Sequence, residues 1–120
     1  MGPRELPRPI SLETCPHVDN YTALCHTCQV NKSDKYKTIC GHYDEEWQIT
    51  VCIEEMAELT KAFCKYRRKK SPEAVADIKE EIADVLNMAH QMAVVFGADE
   101  IDKICDQKLD RTIQRIRDKG

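Results

Sequence analysis

Between Gly41 and Gly97 the chain contains no glycine and a single proline, Pro72. Glycine and proline are the residues that interrupt helices, and turn-rich β folds need them often. A stretch this long without them restricts the fold to long helices, and the punctuation shows where they start and stop. Asp44 is a good N-cap, with Glu45 and Glu46 in the first turn where the helix dipole favours acids. That helix is expected to run to about Arg68, where Arg67-Arg68-Lys69-Lys70 places cations at its C-terminus. Ser71-Pro72-Glu73 restarts the chain with an N-cap, a proline at the first helical position and an acid. The second helix is expected to end at Phe96, with Gly97 as its stop. Asp99 is expected to cap a third helix, from about Glu100 to Arg117, whose Ile101, Ile104, Cys105, Leu109, Thr112, Ile113 and Ile116 make one amphipathic face.

The expected fold is therefore all-α: an antiparallel bundle of three main helices over 43–120, preceded by an irregular extension over 1–42. Residues up to Cys15 are Pro-rich without a hydrophobic period and read as a flexible arm. The first long helix is apolar over more than half its circumference once Ile49, Ile53 and Met56 are counted. Three such helices leave apolar surface uncovered, so a homodimer or homotetramer is expected to complete the core. The formal net charge of −3 over 120 residues gives no basic excess for duplex nucleic acid. No apolar run reaches membrane-spanning length, and the N-terminal arm lacks the apolar segment of a secretory signal. A cytoplasmic location is expected, where seven cysteines stay reduced or hold metal.

Two acidic strings stand out: Glu54-Glu55-Met56-Ala57-Glu58 and Glu80-Glu81-Ile82-Ala83-Asp84. On a helical wheel at about 100° per residue, Trp47, Val51, Leu59, Ala62 and Tyr66 form the apolar arc of the first helix. Glu55 falls between Ala62 and Tyr66, and Glu58 between Trp47 and Val51. On the second helix Glu81 falls between Met88 and Met92, and Asp84 beside Val95. Glu54 and Glu80 point away and read as supporting, solvated acids. Burying unpaired carboxylates is costly, so acids inside two apolar arcs need a counter-charge. Acidic strings are usually solvated faces with i,i+4 partners, here Lys61 and Lys65. Two matching strings on consecutive helices favour a shared cation instead. A di-iron site wants Glu-x-x-His pairs on facing helices, which this chain lacks. All-oxygen donors suit Mg²⁺, or Mn²⁺.

These residues resemble the signature of the MazG-like all-α nucleoside triphosphate pyrophosphohydrolases. Gln48, Val51, Glu54-Glu55-Met56-Ala57-Glu58-Leu59 and Lys61 are similar to that family's first motif helix. Glu80-Glu81-Ile82-Ala83-Asp84-Val85 is similar to its second, and Lys108-Leu109-Asp110-Arg111 to the basic signature that follows. The resemblance spans roughly Tyr43 to Arg117 and leaves out the first forty residues. It implies hydrolysis of an NTP or dNTP to the monophosphate and pyrophosphate, with Mg²⁺ held by Glu55, Glu58, Glu81 and Asp84. Either Glu55 or Glu58 would orient or deprotonate the attacking water. Lys108 and Arg111, one turn apart, would hold pyrophosphate oxygens or else form an exposed basic edge. Gln48 and Asn87 would face a nucleobase or else be surface amides. Phosphoribosyl-ATP pyrophosphohydrolase is an alternative with the same acidic logic.

The N-terminal extension adds Cys25-His26-Thr27-Cys28 and Cys40-Gly41-His42. Cys25, Cys28, Cys40 and His42 have the donor types and spacing of a Cys₃His zinc site, and Cys15 with His17 offers a second pair. The other readings are ordinary thiols in a loose extension, or a zinc-binding helical interaction module without enzymatic activity. Cys52, Cys64 and Cys105, on helices, read as small core residues.

Overall fold

The structure, a computed structural model, describes residues 26–120, with side chains from Lys32 onward. It is all-α, with four helices: α1 (His26–His42), α2 (Glu45–Arg68), α3 (Pro72–Phe96) and α4 (Ala98–Lys119). The N-terminal arm lies outside the described residues. Three of the helices are those expected, and their ends are set by local chemistry. Asp44 accepts from the Trp47 amide at 2.7 Å, and Ser71 from the Ala74 amide at 3.1 Å. Each satisfies a first-turn N–H that has no partner inside its helix. Gly97 joins α3 to α4: at φ 118 its N–H closes on the Ala93 carbonyl and its own carbonyl accepts from Ile101. An L side chain is strained at that φ. Asp99, expected to cap the last helix, sits instead in its first turn, and α4 has no side-chain cap.

The fourth helix is a correction. Residues 26–42, expected to be irregular, form α1. The helix carries polar residues around most of its surface and so shows no broad apolar stripe. Only Tyr36, Ile39 and Cys40 repeat at helical spacing, and they face inward: Tyr36 is buried and the other two are half-buried. Docking on α3 through this narrow contact stabilises α1, in place of an amphipathic face of its own.

α2 and α3 run antiparallel, because the residues that meet across them pair in opposite order. Lys65 reaches Asp77 near the turn, Glu55 meets Asp84 at mid-length, and Cys40 of α1 touches both Gln48 and Gln91 at the far end. Among the described residues, Tyr36, Ala62, Ala74 and Met88 are the buried apolar ones, joined by Gln48 and Gln91. The small residues Ala62 and Ala74 let the two backbones approach. α4 has one half-buried position, Ile101, and leaves Ile104, Leu109, Ile113 and Ile116 exposed. The molecule measures 58 × 34 × 33 Å. Among the described residues no helix is long and apolar enough to cross a membrane.

Candidate metal centre

Midway along the α2–α3 seam, Glu55, Glu81 and Asp84 each bring one carboxylate oxygen within 4.8 Å of the other two. Among the described residues they form the group of acid, cysteine or histidine side chains that converges in this way. Glu81 and Asp84 are three apart on α3 and so share a face, and Glu55 meets them from α2. Glu55 and Glu81 are half-buried.

The electrostatics follow from the crowding. The Glu55 carboxyl is pushed above its ordinary range first by burial, then by the charges of Asp84 and Glu81, the closeness of the Asp84 carboxyl, and Glu58. Glu81 is pushed the same way by burial, then Asp84, Glu58, Glu80 and Asp77. Crowded carboxylates of this kind resist ionising together, and a cation between them would relieve the repulsion.

The geometry suits a hard divalent ion. Oxygens bound to Mg²⁺ at about 2.1 Å lie at most about 4.2 Å apart, and the three carboxylate oxygens converge on a similar scale, within 4.8 Å of one another. The donor set is all oxygen, as Mg²⁺ and Mn²⁺ prefer.

The fourth expected ligand, Glu58, is exposed and stands outside the triangle. It is near enough for its charge to act on Glu55 and Glu81. Three residues along a helix turn the side chain by about 60° from the next full turn, and that offset carries Glu58 to the flank. Trp47, on the same flank, is likewise 45% exposed and stacks on Tyr43 at 4.0 Å. Glu54 and Glu80 are exposed, on the solvated faces expected of them.

Gln48 corrects the sequence reading. It is 1% exposed, its Nε2 donates to the Tyr43 carbonyl at 3.0 Å, and its Oε1 accepts from the Cys40 thiol at 3.2 Å. Both ends of the amide are engaged inside the protein, so it offers nothing to a substrate. Asn87 is exposed, and its Oδ1 accepts from the Tyr36 hydroxyl at 2.9 Å. Sequence reasoning missed Tyr36; the Tyr36, Ile39, Cys40 spacing was the available signal. Lys108 and Arg111 are exposed on α4, and among the described residues neither forms an ion pair.

Of the four expected zinc ligands, Cys25 and the side chain of Cys28 lie outside the described residues. Cys40 turns toward the core, with its thiol on Gln48 and the Gln91 carbonyl. Burial pushes that thiol up. His42 is exposed and stacks edge-on against Tyr43. Cys40 and His42, two apart on a helix, do not face each other. Cys52 is half-buried, whereas Cys64 and Cys105 are exposed rather than core residues. No family model, curated protein or solved structure matches the chain.

Proposed function

We propose that the chain is a Mg²⁺-dependent nucleoside triphosphate pyrophosphohydrolase, converting an NTP or dNTP to the monophosphate and pyrophosphate. The observation that carries the reading is the convergence of Glu55, Glu81 and Asp84 from two antiparallel helices. These are three of the four acids that the resemblance to MazG-like enzymes singles out. A triphosphate is repelled by carboxylates alone, so the cluster needs a cation between itself and the substrate. Glu55, Glu81 and Asp84 would hold it, with Glu58 closing the rim. Bound there, Mg²⁺ supplies charge neutralisation at the α-phosphorus and lowers the pKa of a coordinated water.

The protein's own residues do the rest. Water adds to the α-phosphorus, the bond to the α,β-bridging oxygen breaks, and pyrophosphate departs. Glu58, which lies outside the triangle, is the carboxylate we propose to accept the water's proton, with Glu55 as the other candidate. Lys108 and Arg111 are the cations proposed to hold the outgoing oxygens.

A second copy of the chain completes the molecule in this reading. Ile53, Met56 and Phe63 on α2 and Ile82 and Leu86 on α3 are exposed, away from the carboxylates. Burying them against themselves in a homodimer or homotetramer removes that surface from water.

The deciding experiment is pyrophosphate release over a panel of NTPs, dNTPs and phosphoribosyl-ATP, with and without Mg²⁺. Mg²⁺-dependent turnover of an NTP or dNTP, lost in Glu81→Gln, supports the reading. Turnover of phosphoribosyl-ATP alone changes the substrate assignment. No turnover of any nucleotide, with Glu58→Ala indistinguishable from the unmodified protein, overturns it.

A further inference from the structure

Among the described side chains of α1, Tyr36 is the buried one, and it packs on α3 just beyond the carboxylates. Its ring stacks on His90 of α3, with centroids 5.0 Å apart and planes at 16°. It is 7% exposed, so both its position and its ring plane are fixed. Its hydroxyl donates to Asn87 Oδ1 at 2.9 Å. Asn87 itself is exposed and lies three residues after Asp84, so the two side chains are neighbours one turn apart on α3.

We propose that Tyr36 is a positioning residue for base recognition: it occupies the acceptor end of the Asn87 amide and leaves the Nδ2 donors to meet the nucleobase. The inference rests on the reading above and adds a specificity element to it. A side-chain amide carries an acceptor at one end and two donors at the other, and in isolation it presents either by turning over. With Oδ1 held by a fixed phenol, turning over breaks the Tyr36 hydrogen bond as donated. Among the described residues Asn87 Nδ2 has no acceptor. A substrate with its phosphates at Glu55, Glu81 and Asp84 can extend its nucleoside one turn along α3, toward α1, and so beside this amide. Facing N–H donors, a base edge with a carbonyl oxygen (cytosine, uracil, thymine or guanine) is matched, and the amino edge of adenine is not. Sites that hydrogen-bond a substrate group discriminate strongly against analogues that lack it.

The test is the ranking of kcat/KM over nucleotides of these five bases, at saturating Mg²⁺, for the unmodified protein, Tyr36→Phe and Asn87→Asp. The unmodified protein is expected to prefer carbonyl bases over adenine. Tyr36→Phe frees the amide to turn, so that preference falls about tenfold, through KM, with kcat changed less than about threefold. Asn87→Asp keeps an acceptor for Tyr36 and replaces the donors with a carboxylate oxygen, so the ranking shifts toward bases with an amino group. Melting temperatures accompany each variant. If Tyr36→Phe does not fold, Asn87→Asp, at an exposed position, carries the test alone. An unchanged base ranking in a folded variant overturns the inference while leaving the hydrolase reading intact. Absence of turnover by the unmodified protein overturns both.

Discussion

Glu55 of α2 and Asp84 of α3 each bring a carboxylate oxygen within 4.8 Å of the other across the seam. Burial and this crowding push the Glu55 carboxyl above its ordinary range, which makes the stability of the cation-free protein depend on pH. Glu55 and Glu81 are both held above the ordinary value of 4.5 in the fold. In the window above 4.5 the folded protein binds more protons than the unfolded chain. Stability therefore falls as pH rises through that window and is regained on acidification. The melting temperature of EDTA-treated protein is expected to rise between about pH 7 and about pH 5, and to rise less in Glu55→Gln. Saturating Mg²⁺ at neutral pH is expected to offset the same carboxylate repulsion and raise the melting temperature, as a ligand of the native state does. Differential scanning fluorimetry across the pH range, with and without Mg²⁺, reads both effects. Equal slopes for Glu55→Gln and the unmodified protein would show that Glu55 does not carry this pH dependence.

The same cluster separates the acids into classes. Glu55→Gln, Glu81→Gln and Asp84→Asn each remove an oxygen from the converging group and are expected to cut kcat by about 100-fold or more, the scale on which lost metal charge and lost proton transfer act. Glu58→Gln, at the rim, is expected to cost a similar factor through kcat alone, with metal affinity changed less. Glu54→Gln and Glu80→Gln, both exposed, should stay within about threefold, as surface charges usually do. Isothermal titration with Mg²⁺ or Mn²⁺, beside the pyrophosphate assay, distinguishes ligand loss from base loss. A Glu54→Gln variant as damaged as Glu81→Gln would sink this division.

How far these features were legible in the sequence depends on how local their causes are. Asp44, Ser71 and Gly97 act on residues within four positions of themselves, and the ends of α2 and α3 were readable for that reason. Glu55, Glu81 and Asp84 were readable because acids in an apolar arc violate a pattern. The arc itself was centred too near Trp47. Its true centre lies toward Ala62 and Gln48, where α2 meets α3, so Trp47 and Glu58 move outward together. Gln48 could not be read as buried, because its partners, Cys40 and the Tyr43 carbonyl, come from a helix end that the sequence does not announce. α1 is polar nearly all round, and Tyr36, the buried one of its described side chains, finds His90 and Asn87 more than fifty positions away. The short Tyr36, Ile39, Cys40 spacing marks an inward face but does not name those partners.

The cap at Asp44 is open to a direct stability test. Its carboxylate accepts from the Trp47 amide at 2.7 Å and sits at the positive end of a long helix. Asp44→Ala is expected to cost about 1 kcal/mol, and Asp44→Ser, which keeps an acceptor, a few tenths at most. Urea unfolding with unchanged m-values measures the difference. If alanine and serine at this position prove equally stable, the cap contributes nothing and the start of α2 is held by packing alone.

The single chain leaves a broad apolar surface open. Ile53, Met56 and Phe63 project from α2, and Ile82 and Leu86 from α3, all exposed and all on faces turned away from the α2–α3 seam. α4 adds Ile104, Leu109, Ile113 and Ile116, also exposed. A monomer rarely leaves this many large apolar side chains in water, and each one buried contributes on the order of 1.5–3 kcal/mol. Sedimentation equilibrium is therefore expected to give twice or four times the chain mass of 13.8 kDa. Phe63→Glu places a charge within the α2 stripe, where an unpaired carboxylate is costly to bury, and should shift the protein toward monomer. If α2 supplies the interface, Ile113→Glu on α4 leaves the mass unchanged; if α4 supplies it, the two variants exchange outcomes. A monomeric unmodified protein at micromolar concentration would remove the oligomer from the proposal. The Glu55, Glu81 and Asp84 triangle would stand, since all three of its members come from one chain.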